Sequence, residues 1–185
     1  MHTKKVLFAV SSVAVVVILA LIVWRSNGTP ALTVEQVKNS TYDFGPDGLG
    51  PAKFEDGEYR QKINEGTEME WNIYALIFDE KSIALGDIDG DGRGDAAVFV
   101  YENSGGGNGW ATYLVVLKNV RGVPKQVGKA YFIDQQAKLE KLEIKNGEIL
   151  LSALVHTDKD GHCCPSLHKD FRFKFDGTEL RAVSN

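Results

Sequence analysis

GDIDGDGRGDAAVFVYENSGGGNGWATYLVVL, residues 86–117, sets an acidic, glycine-rich loop beside two apolar runs. Ala96, Ala97, Val98, Phe99 and Val100 leave the loop without a polar interruption, the pattern of a buried strand. Residues 110–117 are aromatic and β-branched, a second strand. Residues 82–85 enter the loop, so its setting is strand-loop-strand. Residues 104–109, Ser-Gly-Gly-Gly-Asn-Gly, join the two later strands. They lack the Lys-Ser/Thr ending of a phosphate-binding P-loop and lead into a strand, so they read as a hairpin connection.

Working outward, the rest of the chain keeps the same character. Residues 70–74 alternate polar and apolar before an apolar run to Phe78, and residues 129–133 form another short strand. Leu139, Leu142 and Ile144 lead to Asn146-Gly147, the pair suited to a type I′ hairpin because both central residues take positive φ. Residues 149–155 return from it. Phe171, Phe173 and Phe175 alternate with Arg172 and Lys174, and Asp176-Gly177 turns the chain into residues 180–183. Asp56-Gly57 gives a further hairpin signal. One short helix is expected over residues 33–38, with Thr33 as N-cap and Gln36 closing a capping box. A weak helical period touches residues 135–142. The aromatics Trp71, Tyr74, Trp110 and Tyr113 read as core. The expected fold is mostly β, an antiparallel sheet or sandwich of roughly eight to ten strands.

The N-terminus differs. Residues 6–24 carry no charge, with Ser11 and Ser12 the polar exceptions. As a helix this stretch reaches roughly 28 Å, about one hydrocarbon thickness. Lys4 and Lys5 before it favour an inside N-terminus, a bias that Arg25 weakens. Two readings stand: an uncleaved single-pass transmembrane anchor, or a signal segment cleaved near Thr29-Pro30-Ala31. The first is favoured, because the apolar run exceeds the ~7–15 residues of a secretory signal. Either reading exports the domain. The expected organisation is an anchor at 1–25, a linker at 26–32 and an extracytoplasmic (periplasmic or extracellular) β domain at 33–185.

Hydrophobic residues make up 43% and charged residues 25% of the chain, a globular balance that argues against disorder. The formal net charge is −4, and setting aside Lys4, Lys5 and Arg25 leaves −7. So acidic a domain lacks the clustered cations that nucleic-acid backbones require, while it suits cationic ligands.

The loop of residues 87–95 places Asp87, Asp89, Asp91 and Asp95 at positions 1, 3, 5 and 9, with Gly92 at the sharp turn. Calcium takes ~6–8 oxygen ligands in a flexible shell. Alternate carboxylates of a curled loop can face one ion, the Arg93 carbonyl can join them, and Asp95 can act directly or through water. Carboxylates this close repel one another unless a cation or protons neutralise them. Magnesium fits less well because it demands a smaller octahedral shell. The loop is EF-hand-like but incomplete: position 12 is Val98, where a bidentate glutamate would stand, and strands flank it. It resembles the calcium loops of integrin-alpha-type (FG-GAP) repeats, with their Asp-x-Asp-x-Asp-Gly-x-x-Asp pattern between strands. That resemblance covers the loop alone and implies no propeller, since the unit occurs once. Across residues 35–183, the stretch quoted above and the later Cys-Cys-Pro-Ser are similar to a group of bacterial exported and membrane-anchored proteins. The similarity implies an extracytoplasmic location and a calcium-type loop, and no activity.

Residues 156–168 gather His156, His162, Cys163, Cys164 and His168. Thiolate and imidazole suit zinc or copper, but the spacing matches no zinc module. Adjacent cysteines can instead form a vicinal disulfide, with Pro165 supporting a tight turn. A structural turn, a transition-metal site and a thiol or redox site all remain open. No nucleophile elbow appears, and no carboxylate pair stands out for glycoside hydrolysis. The leading expectation is a non-enzymatic, membrane-anchored calcium-binding β domain in binding, assembly or envelope maintenance, whose partner is an envelope protein or polymer. The alternatives are a metal-handling or redox protein built on residues 156–168, and a hydrolase without a recognisable motif.

Overall fold

The computed structural model describes residues 29–46, 48–103 and 109–183. Among them lie helix α1 (Val34–Lys38) and twelve strands: β1 (Thr41–Asp43), β2 (Pro51–Lys53), β3 (Glu58–Ile63), β4 (Trp71–Leu76), β5 (Ile83–Gly86), β6 (Asp95–Asn103), β7 (Ala111–Val120), β8 (Val123–Gln135), β9 (Lys138–Lys145), β10 (Glu148–Val155), β11 (Leu167–Phe175) and β12 (Leu180–Ala182). Residues 31–185 form one compact unit. The expected anchor or signal at residues 6–24 lies outside the described residues, and among those described no helix is long and apolar enough to cross a membrane.

Strand β6 organises the fold. It pairs with β7 along one side, and its other side is shared by β5 (Ile83↔Val98 to Gly86↔Asp95) and β4 (Tyr74↔Asn103 to Leu76↔Tyr101). With β3 beyond β4 and β8 beyond β7, these make a six-stranded antiparallel sheet. Side chains alternate across a strand. Ala96, Val98 and Val100 therefore enter one core, with Tyr42 of β1, Phe54 just after β2 and Val37 of α1. Ala97 and Phe99 enter a second, with Ile149, Leu151 and Phe173 of a four-stranded sheet ordered β12-β11-β10-β9. The central sheet is thus covered on both faces, which is why β6 shows no polar alternation. The edge strand β3 carries Glu58, Arg60 and Lys62, charges that discourage pairing with another chain.

The mostly β, antiparallel expectation holds, with more strands than the eight to ten anticipated. The surplus has physical causes. Strands β1, β2 and β12 are three residues long, too short to show alternation. The weak helical period over residues 135–142 belongs to a strand. Ser152 pairs with Lys141 but Ala153 with Leu139, so Glu140 is an extra residue in β9. Such a bulge lets Leu139 and Leu142, three apart, pack against the same core. The helix signal at residues 33–38 was sound: Thr33 and Gln36 form both hydrogen bonds of the capping box. Asn146 and Gly147 take φ of 53° and 74°, the positive values a type I′ turn needs. Of the aromatics expected in the core, Tyr74, Trp110 and Tyr113 are half-buried, whereas Trp71 is 38% exposed at the end of β4.

Candidate metal centre

The acidic loop joins β5 to β6, and its last aspartate begins the strand. Asp95 is fully buried. Its Oδ2 accepts from the Ile88 N–H at 3.1 Å and its Oδ1 from the Asn119 N–H at 2.8 Å. One carboxylate therefore ties the start of the loop to the end of β7. Burial pushes the Asp95 pKa above the usual carboxylate range. The two amide donors pull it down, and the charges of Asp89 and Asp91 add to the rise. At neutral pH an ionised Asp95 is thus held where charge is unfavourable unless a cation compensates.

Asp87 shapes the loop from its first position. Its Oδ1 accepts from the Gly90 N–H at 2.8 Å and its Oδ2 from the Gly92 N–H at 2.9 Å. Gly90 and Gly92 have φ of 77° and 79°, the left-handed region that side chains resist. Gly94 serves a different need. A Cβ there would lie 2.6 Å from that of Ala31, so glycine lets the start of the compact unit cross the loop closely. Leu32 then donates its N–H to the Gly94 carbonyl at 3.0 Å, and its side chain is buried.

Asp87, Asp89 and Asp95 each present a carboxylate oxygen such that all three lie within 4.8 Å of one another. Oxygens at ~2.3–2.6 Å from a shared calcium can be no more than about 5.2 Å apart, so this spacing fits one calcium shell. The corresponding limit for magnesium, at ~2.0–2.1 Å, is about 4.2 Å, which the 4.8 Å bound does not guarantee. Asp91 is not in this group: its Oδ1 accepts from the Arg93 N–H at 2.9 Å. Arg93 sends its guanidinium back toward Asp91 at 3.5 Å.

Two contributors lie outside the loop. Because Ala96 pairs with Leu117, the next residues of β7 fall beside Asp95. Lys118 Nζ forms an ion pair with Asp89, and that bond holds the Lys118 pKa above its ordinary value. Asn119 supplies its N–H to Asp95, and its Nδ2 donates to the Gly94 carbonyl at 3.2 Å. Lys118 is the sole cation between residues 96 and 120, a signal that a pairing of β6 with β7 would have turned toward the loop. The loop's outer side borders an open groove of about 870 Å³ also lined by Asn146, Lys174 and Asp176. Backbone N–H groups of Glu179 and Thr178 and the Thr178 hydroxyl hold Asp176 well below the ordinary carboxylate range.

The second candidate stretch occupies the turn from β10 to β11. Cys163 and Cys164 are bonded to each other. The His156 ring lies 3.1 Å from Asp134 Oδ2 through Nδ1 and 3.1 Å from the His162 carbonyl through Nε2. His168 lies on β11 with Nδ1 2.8 Å from Glu140 Oε2. Among the described residues, Asp87, Asp89 and Asp95 form a group able to share an ion, and residues 156–168 form none. Compared with known proteins, the chain matches no family model, no curated protein and no solved structure.

Proposed function

We propose that this chain is a calcium-binding β domain, displayed outside a membrane by its N-terminal segment, that serves binding, assembly or envelope maintenance without catalysis. The convergence of Asp87, Asp89 and Asp95 carries the calcium reading. The donor set is all oxygen, which suits a hard cation. Each carboxylate already spends lone pairs on backbone N–H groups, so the ligands are oriented before an ion arrives, and each oxygen keeps capacity for a second partner. Calcium would join Lys118 in offsetting the charge of Asp89 and would relieve the buried charge of Asp95.

The ion's principal effect would be structural. The loop links β5, β6, the end of β7 and Leu32, so closing it braces both the central sheet and the entry to the domain. The adjoining groove gives an envelope protein or polymer access to the same corner. Placement outside a membrane is supported by the apolar residues 6–24 with their basic flanks.

Thermal melting of the full-length chain with calcium and with chelator tests the reading. Calcium at a hundredfold excess over its dissociation constant should stabilise the fold by about 2.7 kcal/mol. Asp87→Ala and Asp89→Ala should each abolish that rise. Equal melting temperatures with calcium and chelator would remove the proposal.

A further inference from the structure

The Cys163–Cys164 bridge has the placement of a reactive group more than that of a staple. A disulfide stabilises a fold chiefly by closing a loop of chain, more so as the loop lengthens. This one joins neighbours, at a sequence separation of 1, and so ties together no two elements. Both cysteines are exposed, as are Gly161 and His162 beside them. The turn that carries them is held by other means. Asp160 accepts from the N–H groups of Thr157 at 2.8 Å and Ser166 at 3.1 Å, and from the Ser166 hydroxyl at 2.8 Å. The Cys164 N–H donates to the Gly161 carbonyl at 2.9 Å. His156 fastens the base of the turn to Asp134 of β8 through both its ring and its N–H. Pro165, which follows the bridge in sequence, is buried. The scaffold that presents the sulfurs therefore does not depend on the bond between them.

We propose that Cys163 and Cys164 form a reversible thiol–disulfide exchange site, reduced by a protein dithiol and reoxidised by a protein disulfide. A donor thiolate attacks one sulfur of the pair, forming a mixed disulfide and releasing the other cysteine as a thiolate, which takes up a proton. The donor's second thiolate attacks the mixed disulfide, leaving as an oxidised donor and freeing the second cysteine, which is protonated in turn. Two electrons and two protons pass to the chain, and a disulfide acceptor returns them by the reverse sequence. Exposure admits the attacking thiolate. Adjacency keeps the two reduced thiols together, so reoxidation needs no search through the chain. This inference is independent of the calcium loop.

Dithiothreitol and its oxidised form serve as probes on the full-length chain in mild detergent, with thiols counted by maleimide labelling and mass. In native buffer, dithiothreitol should open the bridge at a rate within about threefold of that in denaturant, because no unfolding is needed to expose it. Two thiols should appear together, and oxidised dithiothreitol should close them again. In the Cys163→Ser variant, the Cys164 thiolate should instead attack added oxidised glutathione and stay as a stable mixed disulfide, releasing one glutathione thiolate. The Cys163→Ser/Cys164→Ser double variant should keep the β-sheet circular dichroism and melt within about 3 °C of the parent, and chelator should leave the exchange rate unchanged. Reduction that occurs only on unfolding, a double variant that fails to fold, or two unbonded thiols in the protein purified under air would each overturn the proposal.

Discussion

Two aspartates, Asp95 in the acidic loop and Asp160 in the cysteine turn, do the same local job with opposite electrostatic outcomes. Each accepts two backbone N–H groups and so shapes a loop. Asp95 is fully buried beside two other carboxylates, and its pKa rises. Asp160 is half-exposed at the surface, and the Thr157 and Ser166 donors hold its pKa down. The hydrogen bonds are alike, so the surroundings decide the sign. A loop wired to the core through a buried acid is costly without a cation, whereas a surface turn closed by a solvated acid stands by itself. That contrast is why the first loop reads as an ion site and the second as a platform.

Removing the two acids should expose the difference most sharply. Asp95→Ala leaves the Ile88 and Asn119 amides without their partner inside the fold. Each unsatisfied buried donor costs about 1–3 kcal/mol, so denaturant unfolding should show a loss of about 2–6 kcal/mol even in chelator. Asp160→Ala removes bonds at the surface. Faster hydrogen exchange at Thr157 and Ser166, with global stability little changed, is its expected signature. A global loss matching that of Asp95→Ala would break the comparison.

Lys118 should tune the first loop alone. It is the side-chain cation paired with Asp89. In chelator, Lys118→Met should lower stability by about 1 kcal/mol, since the two side chains are only partly exposed and the loss leaves Asp89 beside Asp87 and Asp95. With calcium the ordering reverses: the ion gains an uncontested carboxylate, so the calcium-induced rise in melting temperature should exceed that of the parent. A smaller rise would mean that Lys118 orients Asp89 for the ion instead of competing with it.

The sequence made the ingredients of this contrast legible and concealed their wiring. The spacing of the four aspartates, the strands on either side and the vicinal cysteines could all be read directly, because each is written within a few consecutive residues. That Asp91 turns to Arg93 while Asp95 sinks into the core could not, since the spacing treats all four aspartates alike and only the β6–β7 register brings Asn119 to Asp95. Asp160 offered no signal, as an aspartate in a polar turn is common and its partners Thr157 and Ser166 lie on either side of it. The second core was equally hidden. Phe99 and Phe173 enter one core from two different sheets, an arrangement that strand alternation permits without specifying. The bulge at Glu140 blurred the one segment that would have linked those sheets in the sequence.

The smallest expected effect is the most direct test of sign. A group with a depressed folded pKa stabilises the fold above its unfolded value and loses that contribution as pH falls through the folded one. Asp160 behaves in this way, so below about pH 4, the ordinary aspartate value, the parent should lose stability that Asp160→Asn does not have to lose. Asp95 is the reverse case. Between the ordinary value and its raised folded value, the folded chain retains a proton that the unfolded chain has released, so stability declines as pH rises through that window. Asp95→Asn, although less stable throughout, should lack that decline in chelator. Melting curves of the parent and both variants across pH 3–7 in chelator would therefore show difference curves of opposite slope. Equal slopes would mean that burial does not separate the two aspartates, and the case for a compensating cation at Asp95 would lose its electrostatic basis.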